Sequence, residues 1–134
     1  MAKQKRGEHI FETWQLDKFK PYNNNPRKND HAVASTAKAI KEFGFRVPVI
    51  AKSSGEVVDG HLRLKAAQSL RMTEVPVLLA DDLTESQIKA FRLSVNKIAD
   101  LADWDDDLLK VELSELANLD FDLSLIGFDD LLRS

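Results

Sequence analysis

An α/β fold, a small mixed sheet flanked by helices and continued by a helical extension, is what this 134-residue sequence predicts. Three observations carry the prediction. Short apolar or β-branched runs at 45–51, 56–58 and 75–80 are bounded by Gly, Pro and Ser, as strands are. Apolar residues at helical spacing occupy 32–43, 62–70, 84–98 and 105–116. Through residue 98 the two kinds of segment are interleaved, which sets helices against a sheet.

Taken in order, residues 1–8 are polar and basic and read as a flexible lead. Residues 9–20 place Ile10, Phe11, Trp14, Leu16 and Phe19 in near alternation and predict a first strand. Pro21 to Pro26 is turn-rich, and Arg27 and Lys28 follow it where the chain could meet a polyanion. Val33, Ala37, Ile40 and Phe43 predict a helix over 32–43 that Gly44 ends. The run 45–51, the Ser53-Ser54-Gly55 turn and Glu56-Val57-Val58 predict a hairpin or two adjacent strands. Leu62, Leu64, Ala66, Ala67 and Leu70 predict a helix. Val75 to Ala80 predicts a buried strand with Pro76 near its start, where a missing donor does least harm. Thr84 and Gln87 form a capping box for a helix over 84–98. Acidic residues open a further helix over 105–116, as its dipole favours. The apolar tail 121–132, with Leu123, Leu131 and Leu132, needs a cover on the domain or on a partner. The parse is a lead over 1–8, an α/β domain over 9–100 and an extension over 101–134 packed on it.

Composition bounds the function. Hydrophobic residues make up 43% and charged residues 31%, ordinary for one domain with a real core. The absence of cysteine excludes a disulfide framework, a thiolate metal site and thiol chemistry. No apolar run approaches the ~20 residues of a membrane span, and no secretory signal is visible, so the expectation is a cytoplasmic protein without a membrane partner. Charge is split: residues 1–71 carry 14 Lys+Arg against 7 Asp+Glu, and residues 72–134 carry 5 against 15. The basic half could face nucleotide or nucleic acid, or the two halves could be solvated faces of one small domain.

Val57 to Arg63 carries the chemistry. A strand that enters a helix through a Gly turn aims backbone N–H groups and the helix's positive end at one point, where an anion fits. Gly60, His61, Leu62 and Arg63 supply the turn, its amides and a forked cation. Asp59 either caps the helix or manages a metal or proton, and His61 either covers the helix start or does acid–base work. Asn96 and Lys97 close a helix or reach a nucleotide, and Arg27 closes a loop or meets an anion. The acidic run at 103–107 reads as helix-capping residues before magnesium ligands.

The ordered segments Asn25-Pro26-Arg27, Ile40 to Gly44, Val47-Pro48-Val49-Ile50, Gly60-His61-Leu62-Arg63-Leu64-Lys65-Ala66 and Val75 to Asp100 resemble the ParB/sulfiredoxin superfamily. Within it the match is to the ParB-like N-terminal domain, also called the ParB-like nuclease domain, of the type found with phage or mobile-element DNA methyltransferases. The resemblance spans roughly 10–100 and rests on several motifs in order. It implies a ParB/sulfiredoxin-like sheet and a nucleotide- or DNA-phosphate-binding domain in a DNA-modification or DNA-maintenance protein. Nuclease or NTPase activity would use Mg²⁺ with ATP or CTP. Gly60, His61, Leu62, Arg63, Asn96, Lys97 and Arg27 would be phosphate or nucleotide contacts, with Asp59 and His61 as catalytic groups. DNA, a methyltransferase domain or a homodimer partner are the implied associates. Two departures stand out. The reactive cysteine of sulfiredoxin-like members is missing, and of the later Glu-Asn-x-x-Arg motif only Asn96 remains. The Asp59-Gly60-His61-x-Arg63 spelling is also similar to the superfamily's free-serine kinases, a phosphotransferase alternative in which Glu12 or Glu42 would supply a further carboxylate. A non-catalytic docking module for a methyltransferase is the third alternative.

Overall fold

The computed structural model of the protein describes residues 3–20 and 32–128. Arg27 with the Asn25-Pro26 segment, and Leu131 and Leu132 of the tail, lie outside the described residues. Four strands, β1 (Phe11–Gln15), β2 (Val49–Ala51), β3 (Val57–Asp59) and β4 (Glu74–Leu79), form one mixed sheet in the order β1-β4-β2-β3. β1 pairs antiparallel with β4, β4 parallel with β2, and β2 antiparallel with β3. Among the described residues four α-helices accompany it: α1 (Val33–Phe43), α2 (His61–Ser69), α3 (Glu85–Leu101) and α4 (Asp106–Asn118). The expected α/β architecture is therefore present.

Period-two alternation divides the strands between two faces. Val49, Ala51, Val57, Val75, Val77 and Leu79 turn to one face and meet Leu64 and Ala67 of α2, with Trp14 and Phe19 at the β1 edge. Val58 and the half-buried Ile50 turn to the other face and meet Ile88 and Phe91 of α3. Each adjacent pair in β2 and β3 thus serves two layers. α1 packs on α2, and the C-terminal 3-10 turn Leu123–Ile126 packs on α1, where Phe43 and Phe121 stack with ring centroids 6.1 Å apart.

The β2–β3 hairpin forms as expected and depends on Gly55. Its φ is +102°, and a Cβ there would lie 2.5 Å from the Lys18 carbonyl oxygen, so the 3-10 turn before Phe19 can lie against this backbone only if position 55 has no side chain. Lys20 N–H donates to the Gly55 carbonyl at 2.7 Å and seals the contact. Pairing of β4 with β2 starts at Val77, one residue after Pro76. Thr84 and Gln87 make the reciprocal capping box, and Asp105 Oδ1 accepts the Leu108 N–H at 3.1 Å to start α4.

Two differences from expectation have local causes. The first strand stops at Gln15 and continues as a 3-10 turn, Leu16–Lys18, in place of a strand to 20. The turn brings Phe19 to within 5.1 Å of the Trp14 ring and Lys18 Nζ to 4.0 Å over its face, contacts that a straight strand would forfeit. The polar lead is anchored at Gln4, whose Nε2 donates to the Leu79 carbonyl and whose Oε1 accepts the Asp81 N–H. That amide satisfies backbone at the end of β4, and Gln4 is buried. No helix among the described residues is long and apolar enough to cross a membrane.

Candidate functional site

Asp59 ends β3, Gly60 is the N-cap of α2, and His61, Leu62 and Arg63 form its first turn. Gly60 sits at φ +115°, ψ 19°, and a Cβ there would come to 3.2 Å from the Val49 backbone and side chain and from Arg63 Nη2. Glycine is what lets the helix start directly against β2. Gly60, as the N-cap, offers no side chain to cap α2. Asp59, the natural candidate for a cap, instead faces Arg63, with Oδ2 3.4 Å from Nη2. The same Nη2 donates to the Pro48 carbonyl at 2.9 Å and ties the entry of β2 to the helix start. Arg63 Nε is buried without a hydrogen-bond partner. With the two side chains 23% and 36% exposed, the ion pair itself is screened and contributes at most about 1 kcal/mol.

A cation that the sequence reading overlooked completes the site. Arg92 of α3 is only 7% exposed, and its Nη2 donates to the Val57 carbonyl at 2.8 Å and lies 3.6 Å from Glu56 Oε2. It stands four residues after the buried Ile88, on the helix face that covers Val58. A charge at a core-facing helical position was the signal that would have revealed it. Asn96, four residues further along and half-buried, donates its amide to the Arg92 carbonyl at 2.8 Å. Lys97 is exposed, one step off that face.

His61 is half-buried, and burial followed by the Arg92 charge pushes its pKa below the ordinary 6.5; Asp59 pulls it upward and Lys65 adds a smaller downward push. The imidazole is therefore neutral at pH 7 and can accept a proton. Because the folded pKa lies below the unfolded value, the unfolded chain binds more protons. The His61 contribution to stability is then fully present above about pH 6.5 and is lost as pH falls through the interval down to the folded pKa. Asp59→Asn removes the upward pull and should move the His61 midpoint lower still in an NMR titration of its ring protons. A midpoint at or above 6.5 in the parent protein would contradict the geometry.

Of the carboxylate candidates of the phosphotransferase reading, Glu12 lies away from the turn. Glu12 lies on β1, at the sheet edge opposite β3 and so roughly 14 Å away at three strand spacings. Its Oε1 accepts the Trp14 Nε1–H at 2.7 Å. Glu42 is exposed on α1. Among the described residues, no group of three His, Cys, Asp or Glu side chains could hold a metal ion. Among the described residues, two cavities border α2. One of about 200 Å³ is lined by Ile40, Phe43, Phe45, Val47 and Arg63, and one of about 330 Å³ by Leu16, Phe19, His61, Leu64 and Lys65.

Comparison with known proteins bears on the same segments. The ParB N-terminal domain family matches residues 1–102. A ParB-like nuclease domain-containing protein, YnaK, from Escherichia coli (strain K12) is 38% identical over 73 residues, 54% of this chain and 84% of that protein. The C-terminally truncated chromosome-partitioning protein ParB from Caulobacter crescentus, complexed with CTP-γ-S, superposes with a TM-score of 0.68 at 16% identity, over 88% of this chain and 71% of that one. Sulfiredoxin from Arabidopsis thaliana superposes with a TM-score of 0.50 at 20% identity, over 63% of this chain and 97% of that one. These superpositions establish the ParB/sulfiredoxin-like fold. The chain spans only 34% of a Pnob8-like ParB-N chain that shares the fold.

Proposed function

This chain belongs to the ParB N-terminal domain family, and from that premise we propose that its Asp59–Arg63 turn binds the phosphates of a nucleoside triphosphate. The observation that carries the reading is the start of α2 at a glycine N-cap, with the Arg63 guanidinium beside it and its Nε buried without a partner. The backbone N–H groups of Leu62 and Arg63 precede the first intrahelical bond, from Leu64 to Gly60, and Gly60 has no side chain to cap them. An anion there gains those amides, the helix dipole and a guanidinium at once. Arg63 Nε, buried and without a partner, costs roughly 1–3 kcal/mol, which is recovered if the side chain turns to an incoming phosphate. The CTP-γ-S complex of the similar partition protein supports a triphosphate as the ligand.

Mg²⁺ fits as a nucleotide-borne ion. Such an ion takes phosphate oxygens, waters and one or two carboxylates, and Asp59 is the carboxylate at the turn. When bound it would offset phosphate charge. The amides and Arg63 would hold the transferring group, and neutral His61 would orient or deprotonate an attacking hydroxyl or water. A DNA phosphate is the second reading, favoured by the excess of 14 Lys+Arg over 7 Asp+Glu in residues 1–71 and by the similarity to a ParB-like nuclease domain.

Calorimetric titration with ATP, CTP, GTP and ADP plus Mg²⁺, with a short DNA duplex in parallel, tests both readings. Gly60→Val places methyl groups against Val49 and over the amides, so nucleotide affinity should fall at least about tenfold. If no nucleotide binds the parent protein, the triphosphate reading fails. Binding of the duplex alone would transfer the turn to DNA.

A further inference from the structure

The most conspicuous surface outside the turn is the outer face of α4. This helix has no buried residue. At about 100° per residue its inner, half-buried side is Leu109, Leu113 and Leu116, and a second apolar line runs through Leu108 and Val111 toward Leu119, about 125° away. Leu108 is 64%, Val111 52% and Leu119 77% exposed, and Trp104, just before the helix, is 68% exposed. Asp107 and Glu112 flank this outer line and Glu115 lies in it, while the helix's one cation, Lys110, is on the far side. Residues 103–120 hold seven Asp+Glu against that single Lys.

We propose that the outer face of α4 docks a basic amphipathic helix of another polypeptide, an apolar stripe bordered by Lys and Arg. Two features select this occupant. Leu108 and Val111 stand at the i, i+3 spacing of a helix–helix contact, with Leu119 at the C-cap extending the apolar line, and a 13-residue helix with no fully buried side chain is stabilised by such a contact. Its borders are acidic on both sides, so a partner with basic borders is attracted. A second copy presenting the same face would set Asp107, Glu112 and Glu115 against themselves, and that repulsion disfavours an isologous dimer here. None of the residues of this face belongs to the phosphate turn, so the two can be tested independently.

The experiment is selection on the intact chain from a displayed library of helices about 18 residues long, with a fixed leucine stripe and randomised flanking positions. Enrichment of Lys and Arg at the flanks is the expected result. A selected peptide should bind the Leu108→Glu, Val111→Glu variant at least about tenfold more weakly. Both substitutions are exposed, and circular dichroism checks that helix content is kept. Selection on the Glu112→Lys, Glu115→Lys variant should switch the enriched flanks to Asp and Glu. Enrichment without charge preference, no enrichment, or sedimentation showing a dimer that Leu108→Glu dissolves would each overturn the proposal.

Discussion

Replacing Arg63 by alanine is expected to reduce nucleotide affinity by about 10- to 100-fold, the equivalent of one charge-assisted hydrogen bond of about 1.5–3 kcal/mol. The same change removes the 2.9 Å bond to the Pro48 carbonyl, so the turn also loosens, at a stability cost of about 1 kcal/mol. Arg63→Lys separates the two effects. It keeps a positive charge near the phosphates but not the fork that serves Pro48 and a ligand together, and its affinity should fall between parent and alanine. Calorimetry with the best ligand, alongside thermal melts of all three proteins, reads both quantities. Unchanged affinity in Arg63→Ala would mean that the guanidinium only staples β2 to α2, leaving any anion to the amides alone.

Arg92→Met is expected to produce the largest loss of stability, about 2–3 kcal/mol, or a fall in Tm of about 10 °C. Methionine fills the stem volume but leaves the Val57 carbonyl without its 2.8 Å donor and Glu56 without its cation. Glu56 is 42% exposed and can rehydrate, which keeps the cost below that of breaking a fully buried pair. The substitution should also raise the His61 pKa, since the Arg92 charge is the second cause, after burial, of its depression. A purely structural arginine would lower Tm and leave the His61 titration where it was. The paired measurement therefore decides whether Arg92 is electrically part of the site.

The element pattern was largely readable because it rests on local signals. The capping box at Thr84 and Gln87, the Gly55 turn and the alternation in β2 and β3 each express short-range sterics or periodicity. The 3-10 turn at Leu16–Lys18 was not, because it exists to bring Phe19 and Lys18 to Trp14 against a glycine nearly forty positions away. At the site, Asp59, Gly60, His61 and Arg63 could be named from spacing alone. Their assignments could not. The free-looking Arg63 is partly engaged by Pro48, and the expected cap, Asp59, faces Arg63.

By itself, then, the sequence determined an α/β domain with a glycine turn that opens a helix, because turn stereochemistry and hydrophobic period act within a few residues. Only the tertiary structure decided that β1 lies at the edge opposite β3, which removes Glu12 from the turn, and that α3 carries Arg92 to Val57 and His61. Strand order and the meeting of a helix with a distant strand are set by how whole apolar faces cover one another. No short window of sequence contains that information.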